Sequence, residues 1–171
     1  MISFKQAQEL LRTRVGVLGT ELVPLTQAPG RVLRESIAAP RDVPPCDNSA
    51  LDGYGLRSDD LLSASPESPA RLRVVGEIAA GDLPGRGVGT GEAVRIMTGA
   101  PVPAGVDAVL GVEHARVLPG ETGAGDVLLV DRRLSSGAYV RRAGEDLAQG
   151  ALAFEAGQTI TAAVLGVLAS M

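Results

Sequence analysis

The sequence predicts a mainly β fold of the α+β class, with one helix near each end of the chain. Glycine and proline are abundant, with 22 and 11 among 171 residues, and they are spread along the chain. This distribution favours many short strands and turns over a helical bundle. Hydrophobic residues make up 45% of the chain and aromatic residues only 2%, so we expect a core of Val, Leu, Ile and Ala.

The first helix is predicted from Ser3 to Val15. The hydroxyl of Ser3 can accept a free N–H of the first turn, as an N-cap does. An apolar stripe at helical spacing follows, formed by Phe4, Ala7, Leu10 and Leu11. Gly16 and Gly19 end the helix, and we expect its apolar stripe to pack against the rest of the protein.

Residues 20–40 are predicted to form a strand pair or a strand-turn segment, with a turn at residues 28–31. A rigid, irregular loop follows at residues 43–55, which read VPPCDNSALDGYG. Its two prolines exclude a regular helix or a central strand. Short polar side chains and an Asp-Gly pair then favour turns, and Gly53 permits a positive φ. The loop presents two carboxylates and a hydroxyl, and the alternative interpretation is a solvated turn between strands.

Five short strands are predicted after this loop, at residues 54–57, 72–78, 93–97, 107–118 and 126–131. Short strands at this spacing indicate a small barrel or sandwich. The glycine-rich segment 79–91 fits neither the P-loop nor the GxGxxG spacing, so we interpret it as a flexible hairpin connection. Residues 119–125 are predicted to form a turn.

Another motif, at residues 140–150, reads VRRAGEDLAQG. Its Gly-Glu-Asp sequence predicts a tight acidic turn, and the alternative is a surface turn held by salt bridges to Arg141 and Arg142. The last helix is predicted over residues 162–170, with Thr161 as its cap.

Composition excludes several functional classes. The net charge is −4 and no basic stripe is interleaved with aromatic residues, so we expect no nucleic-acid binding. One cysteine allows no intramolecular disulfide, and one histidine offers no zinc cluster or catalytic triad. No apolar run approaches the roughly 18 residues of a membrane span. We expect a soluble cytoplasmic protein that does not bind membranes.

Three motifs carry a resemblance: VPPCDNSALDGYG, VRIMTGAPVP at residues 94–103, and VRRAGEDLAQG. In this order and spacing, they resemble the N-terminal half of the molybdopterin molybdenumtransferase family (MoeA and the E domain of gephyrin). The sequence departs from the family pattern at Cys46, where Phe is usual, at Leu51 for Met and at Gly55 for Ala. These departures change packing more than chemistry.

The resemblance implies a domain organisation. It comprises an N-terminal helix at residues 1–20, an extended β-rich arm at 21–46 plus 135–160, and an inserted small β-barrel-like module at 47–134. Residues 161–171 would begin a helix that leads to an α/β domain absent from this chain.

The resemblance also implies an activity, the insertion of molybdenum from molybdate into adenylylated molybdopterin with release of AMP. The family's active cleft is shared between the subunits of a homodimer, so we expect this chain alone to be inactive. The alternative is a non-catalytic dimerisation or scaffold module derived from the same family. A third interpretation, a generic β-rich binding domain, would require that the three motifs occur in this order by chance.

Carboxylates and hydroxyls on turns are the candidate site residues, and such oxygen ligands suit Mg²⁺. The resemblance assigns catalytic roles to Asp52, Thr98 and Asp146. Substrate-binding roles are expected for Asp47, Ser49 and Glu145, and Mg²⁺ is the expected cofactor, bound at Asp52. We hypothesise that Asp52 positions metal or water and that Thr98 donates a hydrogen bond to an oxyanion.

Overall fold

The computed structural model of the chain describes residues 2–120 and 125–171. Within these residues the α-helices are α1 (Phe4–Arg14) and α2 (Ala162–Ser170). The strands are β1 (Ile37–Ala38), β2 (Asn48–Ser49), β3 (Gly53–Leu56), β4 (Ala70–Ile78), β5 (Glu92–Ile96), β6 (Ala108–Gly111), β7 (Arg116–Leu118), β8 (Val127–Val130), β9 (Val140–Arg141) and β10 (Leu152–Phe154). The prediction of a mainly β fold with a helix near each end is confirmed. Neither helix in the described ranges is long and apolar enough to cross a membrane.

The chain divides into two compact units. The first comprises Met1–Ile37 and Phe154–Ser170, and the second comprises Ala38–Ala153. The predicted inserted module, residues 47–134, therefore lies inside the second unit. Residues 121–124 of the predicted turn at 119–125 lie outside the described residues.

Helix α1 of the first unit begins with a capping box. The Ser3 hydroxyl accepts the Gln6 N–H at 3.2 Å, and the Gln6 side chain accepts the Ser3 N–H at 2.8 Å. The prediction that its apolar stripe packs is wrong, because no residue of α1 is buried and Phe4 is 78% exposed. The small core of this unit is instead built around Ala28, Ile160 and Val164.

Of the two structures predicted for residues 20–40, the strand pair is wrong. Pro24 precedes a 3₁₀ turn at Leu25–Gln27, and β1 is the one strand that the structure assigns in this region. The backbone of residues 30–33 pairs with residues 157–160 instead, as in the bond from the Leu33 N–H to the Gln158 carbonyl at 2.9 Å. Segments far apart in sequence thus satisfy each other's backbone groups. Helix α2 follows, with the Val164 N–H donated to Thr161 Oγ1 at 3.3 Å, so the predicted cap is confirmed.

A six-stranded sheet forms most of the second unit, in the order β6-β3-β5-β4-β8-β7. All its neighbours run antiparallel except β4 and β5, which are parallel. The sheet curls into half a barrel, in agreement with the predicted barrel-like architecture. Alternate residues face opposite sides, with Leu56, Ala93 and Leu110 in one core and Val94 and Val109 in the other.

Two connections differ from the sequence predictions. Segment 79–91 is not a hairpin, because it joins two parallel strands, which need a crossover of about a dozen residues. The predicted strand at 107–118 is broken by a 3₁₀ turn at Val112–His114. The break occurs because β6 and β7 belong to opposite edges of the sheet.

Candidate functional site

The three motifs meet at β2. This strand pairs antiparallel with β9 of the third motif. On its other side, the Ser49 N–H donates to the Ala100 carbonyl at 3.0 Å, and the Gly99 N–H donates to the Ser49 carbonyl at 2.8 Å. Residues 48–49 therefore form a short strand rather than part of an irregular loop, because their backbone is hydrogen-bonded to β9 on one side and to residues 99–100 on the other.

Asp52 and Thr98 are in direct contact. Asp52 Oδ1 accepts the Thr98 backbone N–H at 2.8 Å and the Thr98 hydroxyl at 2.7 Å. Strand β3 begins directly after Asp52 and β5 ends two residues before Thr98, and Gly53 lies opposite Ile96 in the antiparallel ladder. The strand register thus brings together the two residues to which the sequence assigned the chemistry.

Gly53 has a different reason for being glycine than the sequence suggested. Its φ is not positive. A Cβ at this position would lie 2.1 Å from the Leu110 carbonyl oxygen and 2.9 Å from the Leu110 carbonyl carbon. Glycine is required because the backbones of β3 and β6 approach closely beside Asp52.

The surroundings of Asp52 favour its ionised form. The Thr98 hydroxyl, then the Thr98 N–H, and further the positive charge of Arg95 lower the pKa of Asp52 below its ordinary value. Both Thr98 hydrogen bonds end on Oδ1, and no donor to Oδ2 is found in residues 2–120 and 125–171. The second carboxylate oxygen can therefore accept from a ligand.

The acidic residues of the first and third motifs are paired with arginines. Asp47 accepts from Arg142 Nη1 at 2.5 Å and from the Ala143 N–H at 2.9 Å. Arg141 donates to Glu145 at 2.6 Å and to Asp146 at 2.6 Å. The pairs of Arg141 with Glu145 and Asp146 agree with the alternative of a salt-bridged turn, and Arg142 additionally brings Asp47 of the first motif to this turn. Exposed pairs of this kind are each worth about 0–1 kcal/mol.

Two pKa values follow from these contacts. The Ala143 N–H, and then Arg142, lower the pKa of Asp47. The Arg141 guanidinium, and then the Arg142 N–H, lower the pKa of Glu145. Both carboxylates are ionised at neutral pH, and both are already engaged by the protein.

Ser49 lies inside the second unit. Only 1% of the residue is exposed, and its hydroxyl donates to the Leu51 carbonyl at 2.5 Å. Its contacts are those of a residue that shapes the turn leading to Asp52. The structure does not bring its hydroxyl to the surface on which Asp52 lies exposed.

Sequence analysis missed Arg95. It lies on β5 opposite Tyr54 of β3, and its Nη1 is 3.4 Å from the Tyr54 hydroxyl. It also faces Glu77 of β4, at 3.8 Å from Nε to Oε2. The available signal was a charged residue between two apolar ones, three positions before Thr98.

The oxygen ligands around Asp52 fit Mg²⁺ only in part. The described residues contain no group of three or more His, Cys, Asp or Glu side chains placed to hold a metal. Mg²⁺, however, is commonly bound through one or two carboxylates plus water and substrate phosphates. One ionised, exposed carboxylate with a free Oδ2 is compatible with that mode and not with a cage made of protein ligands.

Comparison with known proteins places the chain in a family. The family model described as the MoeA N-terminal region (domain I and II) matches residues 2–171. The molybdopterin molybdenumtransferase of Synechococcus elongatus is 41% identical over 100% of this chain and 42% of its own length. Molybdopterin molybdenumtransferase 2 of Mycobacterium tuberculosis is 37% identical over 100% of this chain and 41% of its own length.

A solved structure is similar as well. The molybdopterin biosynthesis moeA protein of Pyrococcus horikoshii OT3 superposes with a TM-score of 0.86 at 32% sequence identity, over 99% of this chain and 44% of that one. The chain thus spans about two fifths of the relatives it matches. With a family model matched from residue 2 to residue 171, the chain belongs to the family of the MoeA N-terminal region, domains I and II.

Proposed function

We propose that this chain is the N-terminal part of a molybdopterin molybdenumtransferase, which inserts molybdenum from molybdate into adenylylated molybdopterin and releases AMP. The observation that carries the proposal is the contact between Asp52 and Thr98 at the meeting point of three family-like motifs. The names of the Synechococcus elongatus and Mycobacterium tuberculosis relatives support it. Because the chain spans 42% and 41% of those relatives, the activity is proposed for a complete protein.

Asp52 is the residue to which we assign the central role. Both substrates are anions, so an exposed carboxylate beside them is useful only if it binds a cation or orients water. Its lowered pKa keeps it ionised at neutral pH. We infer that Oδ2 faces the substrate, since Oδ1 is occupied by Thr98.

For Thr98 we propose a different role from the one hypothesised from sequence. Its hydroxyl and its N–H are both donated to Asp52 Oδ1. We therefore propose that Thr98 orients the carboxylate rather than donating to an oxyanion. Two donors on one oxygen fix the rotation of the carboxylate group, which leaves Oδ2 in a defined direction.

Mg²⁺ is proposed as the cofactor, with Asp52 as its protein ligand. When bound, the ion would offset the repulsion between the two anionic substrates and polarise the phosphoanhydride. Asp47, Glu145 and Asp146 are proposed to support the site indirectly. The salt bridge between Asp47 and Arg142 fixes the third motif against the first, and the pairs of Glu145 and Asp146 with Arg141 hold the turn of the third motif itself.

The active cleft is proposed to be shared in a homodimer, with this chain forming one wall. A second candidate function, a non-catalytic dimerisation or scaffold module, is favoured by the exposed apolar side chains of α1. Phe4 and Leu11 are 78% and 63% exposed. Side chains of this kind often mark a surface that another protein covers.

A chimera separates the two candidates. Residues 1–171 of this protein would replace the matching region of the Synechococcus elongatus enzyme, and molybdenum insertion would be measured alongside the isolated chain. We expect the chimera to insert molybdenum and the isolated chain to be inactive. A folded chimera that inserts no molybdenum would support the scaffold function, and turnover by the isolated chain would contradict the proposed incomplete site.

A further inference from the structure

A groove of about 560 Å³ lies on the second unit. Its volume falls within the range of roughly 300–1,000 Å³ that small-molecule sites occupy. The groove crosses β3, β5 and β4, and the residues that line it are Tyr54, Val74, Gly76, Glu77, Arg95 and Asp126. None of the roles assigned above uses it.

The register of β4 against β5 shifts at the groove. Val74 lies opposite Ala93 and Glu77 lies opposite Arg95, so β4 advances three residues where β5 advances two. The extra residue brings Glu77 level with Arg95, as bulges often do when they redirect a side chain. Gly76 leaves space beside them, because a Cβ at this position would meet no atom within 4 Å.

The groove lies close to Asp52. Asp52 directly precedes β3, and Tyr54 is the second residue of that strand. Arg95 is the cross-strand neighbour of Tyr54, and its Nη1 lies 3.4 Å from the Tyr54 hydroxyl oxygen. The charge of Arg95 also acts on Asp52. A ligand that occupied the groove could therefore reach Asp52.

The charges of the groove select the kind of ligand. One guanidinium, that of Arg95, stands against the carboxylates of Glu77 and Asp126, so the lining is net negative. An oxyanion would be repelled. The Arg95–Glu77 pair is long at 3.8 Å, and its side chains are 40% and 57% exposed, so both groups can bind a ligand. The fitting ligand is neutral, flat and rich in N–H donors.

We propose that this groove binds the 2-amino-4-oxopyrimidine edge of the pterin ring. The adjacent amino and ring N–H groups of that edge would both donate to the Glu77 carboxylate, and the ring carbonyl would accept from Arg95. The anionic end of the substrate would then extend toward the cation that we propose at Asp52. The inference rests on the proposed function, because a pterin is the substrate only if the chain belongs to a molybdenumtransferase.

Binding of unsubstituted pterin (2-amino-4-oxopteridine) to the purified chain, followed by calorimetry, tests this inference. Lumazine, which carries a carbonyl in place of the 2-amino group, is the matched ligand. We expect lumazine to bind at least tenfold more weakly, because Glu77 would lose a donor and face a carbonyl oxygen. Glu77→Gln should weaken pterin binding at least tenfold, and Gly76→Leu should abolish it by filling the groove. Glu67→Gln, which changes an exposed carboxylate outside the groove, should leave the affinity unchanged.

Three results would overturn the inference: no pterin binding, equal affinity for lumazine, or wild-type affinity in both groove variants. Thermal unfolding of each variant checks that it folds. In the chimera, Glu77→Gln should raise KM for the pterin substrate at least tenfold and leave kcat nearly unchanged. If the chimera is active and Glu77→Gln leaves its KM unchanged, the groove is not the pterin site, although the proposed function would stand. If the chimera is inactive but the isolated chain binds pterin through Glu77, the proposed function would be refuted and the assignment of the groove would stand.

Discussion

Gly53→Ala tests the backbone approach that holds Asp52 in place. The added Cβ would lie 2.1 Å from the Leu110 carbonyl oxygen. A carbon and a carbonyl oxygen normally meet at roughly 3.3 Å, so β3 and β6 would have to separate by about 1.2 Å. Leu110 is 1% exposed and belongs to the core, so its backbone cannot yield freely. Overpacking of this kind costs about 1–3 kcal/mol.

Gly76→Ala is the matched control, because it adds the same methyl group to the same sheet. Its Cβ would meet no atom within 4 Å, and its φ is not positive. We expect its free energy of unfolding to stay within about 0.5 kcal/mol of wild type, or to rise slightly because alanine restricts the unfolded chain.

Urea unfolding of the two variants, followed by far-UV circular dichroism, compares them directly. We expect the free energy of unfolding of Gly53→Ala to be lower than that of Gly76→Ala by at least about 1 kcal/mol. Equal free energies of unfolding would mean that the strands separate at no cost. The close approach would then not be what positions Asp52.

Three further results follow from the contacts of the site. Thr98→Val removes the hydroxyl that contributes most to lowering the pKa of Asp52, so carboxyl NMR titration should show that pKa rising; an unmoved pKa would contradict the assignment. Asp47 has a pKa below its ordinary 3.8, so its contribution to stability is present above that pH and is lost on acidification. Asp47→Asn should therefore lose less stability than wild type between about pH 5 and pH 2 in urea unfolding, and an equal loss would exclude this linkage. Ser49→Ala should lower the free energy of unfolding by about 1–3 kcal/mol but leave the substrate KM of the chimera unchanged, whereas a raised KM would restore Ser49 as a binding residue.

The sequence predicted best what depends on local chemistry. Ser3 and Thr161 cap their helices because a hydroxyl next to free N–H groups acts over a few residues. Several strands were found near their observed positions, because apolar alternation is also local. The family resemblance was carried by three long motifs, and the match to residues 2–171 confirms it.

Predictions that needed a partner distant in sequence were less successful. Residues 30–33 find their backbone partners at 157–160, and no local pattern indicates that pairing. The sequence also does not indicate that β4 and β5 run parallel, because a glycine-rich segment is compatible with both a hairpin and a crossover connection. The exposed stripe of α1 could not be foreseen either, because helical spacing shows that a face is apolar and not what covers it.

The candidate site shows the same division. Asp52 and Thr98 were singled out by sequence, and the β3–β5 register explains why they meet. Ser49 was chosen for its hydroxyl, but burial directs that group to the Leu51 carbonyl. Arg95 was overlooked because its significance comes from Tyr54 and Glu77, which lie on neighbouring strands.

The role proposed for Asp52 is tested by the initial rate of molybdenum insertion in a chimera that carries Asp52→Asn. Asparagine keeps the size of the side chain but removes the charge that would bind the cation. We expect kcat to fall about 100-fold or more, with unfolding still cooperative. A wild-type rate would contradict it, because the one exposed carboxylate that Thr98 orients would then have no part in the reaction.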